Sequence, residues 1–176
     1  MASGDLLGYV KIWSISLLST KNNSSQFKTL SGHTFDVYDL AVLSDDLLAS
    51  CSWDTIVRIW NLTTFSLKYT LNGHNSDVYG LTLLGLEVIA SGPSDNTIKL
   101  WNITNGTLIR TLTAHTNWIY YGLDLLGSDT LISGSLDSTI KLWQISKGGT
   151  LSNSINVSSI MQYIYTHWRS LIAIKK

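Results

Sequence analysis

The chain has 176 residues, 44% of them hydrophobic and 14% charged, a size and apolarity that fit one ordered domain with a sizeable core. Twelve basic and twelve acidic side chains leave a formal net charge of zero, which argues against nucleic-acid and anionic-membrane binders, since these carry a basic excess. Cys51 is the only cysteine, so no intrachain disulfide forms, and no apolar run approaches the roughly 20 residues of a membrane span.

In chain order, the first marker is Lys11-Ile12-Trp13, with Ser3 ten residues before the tryptophan at the end of a short strand. Thr20 to Gln26, rich in Asn and Ser, reads as an enlarged loop. Four short segments of β-branched, aromatic and leucine residues follow, bounded by turn residues: Val37 to Val42, Leu47 to Ser50, Ile56 to Trp60 and Ser66 to Leu71. The same order returns as Val78 to Leu83, Glu87 to Ala90, Thr97 to Trp101 and Thr107 to Leu112. Thr130 to Ser133 and Lys141 to Trp143 belong to a further copy. No stretch carries a helical period.

Four residue types keep phase through these segments. Trp13, Trp60, Trp101 and Trp143 recur at steps of 47, 41 and 42. Ser3, Ser50, Ser91 and Ser133 each lie ten residues before the tryptophan, and Asp54, Asp95 and Asp137 each lie six before it. Gly32-His33, Gly73-His74 and Ala114-His115 recur at steps of 41. A period of about 40 residues with four short strands predicts all-β propeller blades, each an antiparallel meander. The units run approximately over residues 1–30 (a partial blade), 31–71, 72–112, 113–155 and 156–176 (a second partial blade).

From about Ser3 to Ile174 these markers resemble the WD-repeat β-propeller family. Two departures stand out. The terminal dipeptide is Trp13-Ser14, Trp60-Asn61, Trp101-Asn102 and Trp143-Gln144 in place of Trp-Asp. Leu7 stands where the first turn aspartate is expected, which predicts a weaker turn. The resemblance implies a buried hydrogen-bond chain from Trp to Ser to His to Asp in each blade. Here that chain would be Trp60, Ser50, His33 and Asp54, then Trp101, Ser91, His74 and Asp95, then Trp143, Ser133, His115 and Asp137.

Ser, His and Asp together are also the parts of an acyl-transfer triad. A nucleophile is needed once, whereas this set recurs at blade spacing, so the expectation is structural and no catalytic residue is assigned. Buried indole N–H groups need a partner, and a serine hydroxyl supplies one. One histidine per blade does not converge on a single ion as zinc ligands must, so neither a metal nor another cofactor is expected. His167 is out of phase and reads as a loop residue, and Cys51 as a small buried filler. The basic residue two before each tryptophan (Lys11, Arg58, Lys99, Lys141) reads as a solvated strand face.

The resemblance also implies a binding rim where the blades narrow toward a central channel. In related proteins, G-protein β subunits among them, contacts cluster three and five residues after the His and one before the turn Asp. Carried over, these are Asp36, Tyr38 and Trp53, then Asp77, Tyr79 and Ser94, then Trp118, Tyr120 and Leu136. Three tyrosines and two tryptophans among nine positions matter, because Tyr and Trp dominate binding hot spots.

Ser159 to Ile174 line up with Trp118 to Ser133 when shifted by 41, with Asn156 in place of the His and Ile174 in place of the Ser. The C-terminal unit would thus complement the N-terminal one. Two architectures follow: a closed four-bladed ring, or an open arc of a larger propeller. The open arc is the expectation, because closing four blades would re-cut every inter-blade contact, and its open edges would allow self-association. The expected function is a non-catalytic scaffold that docks other proteins or peptides on the aromatic rim, with no nucleic acid and no membrane insertion. The alternative is part of a larger multidomain or enzyme-associated protein in which the propeller only recognises a substrate or regulatory partner. The expected compartment is the cytoplasm, with the nucleus left open.

Overall fold

The computed structural model describes residues 1–15, 24–85, 87–119 and 122–157. Among the described residues there are strands and turns and no helix. The first sheet holds β1 (Ala2–Gly4), β2 (Tyr9–Ile15) and β3 (Ser24–Ser31). The second holds β4 (Val37–Ser44), β5 (Leu47–Ser52), β6 (Val57–Asn61) and β7 (Ser66–Leu71). The third holds β8 (Val78–Leu84), β9 (Val88–Pro93), β10 (Thr97–Asn102) and β11 (Leu108–Thr113). The fourth holds β12 (Leu123–Leu126), β13 (Thr130–Gly134), β14 (Thr139–Gln144) and β15 (Thr150–Asn156). Each sheet is an antiparallel meander in sequence order, which is what short β-branched runs joined by tight turns produce.

One expected loop is partly strand. Ser24, Ser25 and Gln26 pair with Ile15, Ser14 and Trp13, so the backbone ladder extends further than an Asn- and Ser-rich composition indicated. Residues 20–23, His167 and the stretch 159–174 lie outside the described residues.

Alternation along the middle strands decides which side chains face which neighbour. Leu48 and Trp60 are cross-strand partners and pack back onto Val10 and Leu30 of the first sheet. Their neighbours Ala49 and Ile59, also partners, face forward onto Ile89 and Trp101 of the third sheet. The third sheet repeats the arrangement: Ile89 and Trp101 face back, while Ala90 and Leu100 face forward onto Ile119, Leu131 and Trp143. The core is therefore a series of seams between sheets, each fed by strand residues of both. Every fully buried Leu, Ile or Val in such a seam contributes about 1.5–3 kcal/mol relative to exposure.

Polar bonds stitch the same seams. Val37 N–H donates to the Asp5 carbonyl at 3.0 Å, and Ile119 N–H to the Pro93 carbonyl at 3.3 Å. Asp39 Oδ2 accepts the Leu81 N–H at 2.9 Å, Thr82 Oγ1 donates to the Leu123 carbonyl at 2.8 Å, and Tyr69 OH to the Thr104 carbonyl at 2.6 Å. Burial raises the pKa of Asp39, against the lowering effect of the Leu81 and Leu40 amides.

The sheets follow one another as an open arc: β1 packs on β4, β4 on β8 and β8 on β12. The fourth sheet is the last of the arc among the described residues. Ala90, Ile98 and Leu100 are buried under it, whereas the equivalent Ile132, Ile140 and Leu142 on its own forward face are only half-buried. A closed four-bladed ring is not the arrangement of the described residues.

Candidate functional site

Each blade turns between its second and third strands on a carboxylate. Asp54 accepts the N–H groups of Ile56 at 3.1 Å and Thr34 at 3.2 Å. Asp95 does the same for Thr97 and Asn75, and Asp137 for Thr139 and Thr116. The following residue adopts a left-handed conformation, with φ of 69° at Thr55, 65° at Asn96 and 63° at Ser138. Non-glycine residues reach that region at a cost, which the surrounding hydrogen bonds overcome.

The first turn corrects an expectation. Leu7 cannot cap it, but Asp5 does so from two residues earlier, accepting Leu7 N–H at 3.0 Å and Tyr9 N–H at 2.9 Å and pairing with Lys11 Nζ at 2.8 Å. Gly8, at φ 81°, takes the left-handed position.

Each carboxylate anchors a chain running into the blade. Trp60 Nε1 donates to Ser50 Oγ at 2.7 Å, and Ser50 Oγ lies 2.7 Å from His33 Nε2. His33 Nδ1 lies 2.9 Å from Asp54 Oδ2. In the next blade the matching distances are 2.8 Å (Trp101–Ser91), 2.6 Å (Ser91–His74) and 3.1 Å (His74–Asp95). In the last they are 2.8 Å (Trp143–Ser133), 2.8 Å (Ser133–His115) and 2.7 Å (His115–Asp137). One proton arrangement connects each chain, with indole N–H to hydroxyl oxygen, hydroxyl O–H to Nε2, and Nδ1–H to carboxylate; in the His33 blade Arg58 Nη1 also lies 2.7 Å from Nδ1. The three serines are 0% exposed and the indoles no more than 3%. The first blade keeps a remnant, Trp13 Nε1 donating to Ser3 Oγ at 2.8 Å.

Electrostatics follow from this geometry. Burial would raise the Asp54 carboxyl, but the His33 ring, the Thr34 amide and the Arg58 cation together bring its pKa down to about 2. Asp95 and Asp137 are likewise held well below the usual carboxylate range against burial, by His74 and Thr97 and by Thr139 and His115. Burial lowers the pKa of His74 and His115, partly opposed by their aspartates, which favours the neutral ring. Burial, with Asp39 nearby, pushes the Cys51 thiol well up, consistent with an inert filler.

The basic stripe is not a solvated face. Lys99 and Lys141 are buried and donate to Thr111 Oγ1 at 3.1 Å and Ser154 Oγ at 3.0 Å on the outermost strands. Arg58 Nη1 lies 2.8 Å from Asp54 Oδ2. These stems lie along the strand edge, where a long side chain covers apolar surface.

Six of the nine rim positions fall into three pairs. Trp53 N–H donates to the Asp36 carbonyl at 3.0 Å, Ser94 N–H to Asp77 at 3.0 Å and Leu136 N–H to Trp118 at 2.9 Å, so the same two loops meet in each of these three blades. Tyr38 and Tyr79 are the extra residues of β-bulges, between Val37 and Asp39 and between Val78 and Gly80; bulges re-aim side chains at strand ends. Tyr38 packs on Tyr79 across the seam at 4.9 Å between centroids, and on Trp53 at 6.5 Å. Trp53, Trp118 and Leu136 are about half exposed, Asp36, Tyr38 and Asp77 less so, and Tyr79 and Ser94 are buried. Tyr79 OH donates to Asp77 Oδ2 at 3.1 Å, and Ser94 Oγ lies 2.6 Å from Ser76 Oγ. Tyr120 lies outside the described residues. Sequence reasoning missed Phe35, 56% exposed and 6.3 Å from Trp53. Its one available signal was an aromatic where the other blades have Ser76 and Asn117.

Comparison with known proteins agrees with this architecture. The family profile "WD40: WD domain, G-beta repeat" matches residues 24–61, 65–102 and 106–144, more than half of the chain. The "Ribosome biogenesis protein WDR12 homolog" of Anopheles gambiae is 30% identical over 82 residues, 39% of this chain and 19% of that protein. The crystal structure of the WD40 beta propeller domain of Doa1 matches with a TM-score of 0.74 at 24% identity, over 89% of this chain and 50% of that one. That likeness is one of fold, and the chain spans half of that propeller and about a fifth of the mosquito protein. The chain belongs to the WD domain, G-beta repeat family.

Proposed function

We propose that the chain is a non-catalytic scaffold that docks a protein or peptide on the rim around Trp53. The observation that carries this reading is the continuous aromatic run Phe35, Trp53, Tyr38 and Tyr79 across the second and third sheets. Its inner members are packed into the seam while Phe35 and Trp53 stay about half exposed. Rigid aromatic surface of that kind binds at low entropic cost. A catalytic role for the Ser–His–Asp sets is disfavoured, because each serine hydroxyl is fully buried and its donor and acceptor roles are both taken. Among the described residues no group of three or more His, Cys, Asp or Glu could hold a metal.

The partner in this reading is a protein or peptide, since the zero net charge offers little to a polyanion. In a longer polypeptide the same arc would serve as the recognition face for its other parts. The compartment is the cytoplasm or the nucleus; a partial relative named for ribosome biogenesis keeps the nucleus in view. Among the described residues no helix is long and apolar enough to cross a membrane.

The test is a cross-linking pull-down with the wild-type chain and with Tyr38→Ala plus Trp53→Ala. Partners should be lost from the variant while its melting temperature shifts by no more than a few degrees. Identical partner sets would refute the rim as the docking face.

A further inference from the structure

Resting on that docking reading, we propose that the rim takes an arginine side chain of the partner, its guanidinium stacked on Trp53 and tethered by Asp36. Trp53 contacts two neighbouring rings, Phe35 at 6.3 Å and 51° and Tyr38 at 6.5 Å and 44°. Those contacts fix its plane, yet the residue remains 48% exposed. An indole face is the strongest aromatic site for a cation. The rings meet at tilted angles of 51° and 44°, an arrangement that offers a ledge to a flat group rather than a box around an ammonium group. A flat, weakly hydrated guanidinium suits a ledge, because it stacks on an aromatic face while its edge still donates to a carboxylate.

Asp36 supplies that carboxylate. It follows Phe35 directly, and its backbone carbonyl holds the Trp53 N–H at 3.0 Å, so the acid and the ledge move as one unit. Among the described residues the Asp36 carboxylate has no hydrogen-bond or ion-pair partner. Asp77 brings a second carboxylate to the equivalent place in the next blade. The basic residues two before each tryptophan are engaged elsewhere: Lys11 with Asp5, Arg58 with Asp54, Lys99 with Thr111 and Lys141 with Ser154. A chain with no net charge thus carries local acidity at this rim.

The experiment uses the full chain and acetylated, amidated peptide pools that share one randomised apolar and aromatic background. The central residue is arginine, citrulline, lysine or glutamate. Binding is read by fluorescence polarisation at low salt. The arginine pool should bind about fivefold or more tighter than the citrulline and lysine pools, with the preference shrinking between about 0.05 and 0.5 M salt. Trp53→Ala should erase the preference and Asp36→Asn should reduce it by about threefold. Equal binding of the arginine and citrulline pools, with both lost in Trp53→Ala, would overturn the arginine inference and leave the docking face standing. Equal binding of arginine and lysine would overturn the stacking argument. Absence of binding by the arginine pool up to about 1 mM would also overturn the inference. If wild type and Trp53→Ala bind every pool alike, the docking face falls with it.

Discussion

Replacing Ser91 with alanine isolates the hydrogen-bond chain from everything else in the fold. Its Oγ accepts the Trp101 indole N–H at 2.8 Å and sits 2.6 Å from His74 Nε2. Ser91 is 0% exposed, Trp101 1% and His74 5%, so no water reaches either group once the oxygen is gone. Alanine keeps the Cβ and removes a single atom, which makes the cavity term small. Two buried polar groups are then left unpaired, at about 1–3 kcal/mol each. Because both belong to one chain, their costs overlap, and the expected loss is about 2–4 kcal/mol. For a chain of this length that is a fall in Tm of roughly 5–15 °C. Urea unfolding followed by far-UV circular dichroism measures it. A second variant, Trp101→Phe, removes the indole donor, so Ser91→Ala in that background should cost about 1 kcal/mol less than alone. A Ser91→Ala protein within about 0.5 kcal/mol of wild type would refute the view that the hydroxyl links the two rings.

Other outcomes follow from the same geometry. The Asp54 side chain is 5% exposed and its pKa falls from 3.8 to about 2, so its ionised form stabilises the fold by about 2 kcal/mol above roughly pH 4. That contribution is lost as the pH drops through about 2. The stability gap between wild type and Asp54→Asn should therefore narrow between about pH 6 and pH 2.5, and a constant gap would contradict the assignment. Gly92 and Gly134 are equivalent, one position after Ser91 and Ser133, but a Cβ at Gly92 would lie 2.9 Å from Leu123 Cδ1 and 3.1 Å from Ile119 Cγ2. Among the described residues a Cβ at Gly134 would meet only Gly122 Cα at 3.9 Å. Gly92→Ala should cost about 1–3 kcal/mol and Gly134→Ala less than about 0.5; equal costs in chemical denaturation would mean that a further layer covers the fourth sheet.

What the sequence revealed was whatever needs a fixed residue type at a fixed step. The indole, hydroxyl, imidazole and carboxylate satisfy one another only in that combination, so their positions recur and the blades with them. Features served by several residue types leave no such trace. Asp5 caps the first turn from a position where the other blades use Ser52, Pro93 or Ser135, and a search for an aspartate in phase passes over it. Asn61 and Asn102 accept two turn amides each, Thr63 and Thr64 for the former and Thr104 and Asn105 for the latter. That is why Trp-Asn replaces Trp-Asp without harm, since an amide oxygen accepts as a carboxylate oxygen does. The burial of Lys99 and Lys141 was hidden because a lysine two residues from a tryptophan looks the same whether its stem lies against the protein or in water. Phe35 occurs in one blade only, so no period points to it. The aromatic rim was legible as offsets, yet which of its rings are free depends on packing across a seam between two units, and periodicity is blind to that.

The hydrogen-bond chains close within single blades, and among the described residues the buried apolar clusters join neighbouring sheets. Cohesion is therefore nearest-neighbour, as in a stack of coins. The second and third sheets each have a neighbour on both sides and a complete Trp–Ser–His–Asp set, which makes them the kernel of the arc. Of that set the first sheet keeps, among the described residues, the Trp13–Ser3 bond, and the fourth has its forward face half-buried. Amide exchange should be quickest at these two ends and slowest in β5, β6, β9 and β10, so that the molecule frays inward from its tips while the Trp53 ledge, anchored in the kernel, keeps its shape longest.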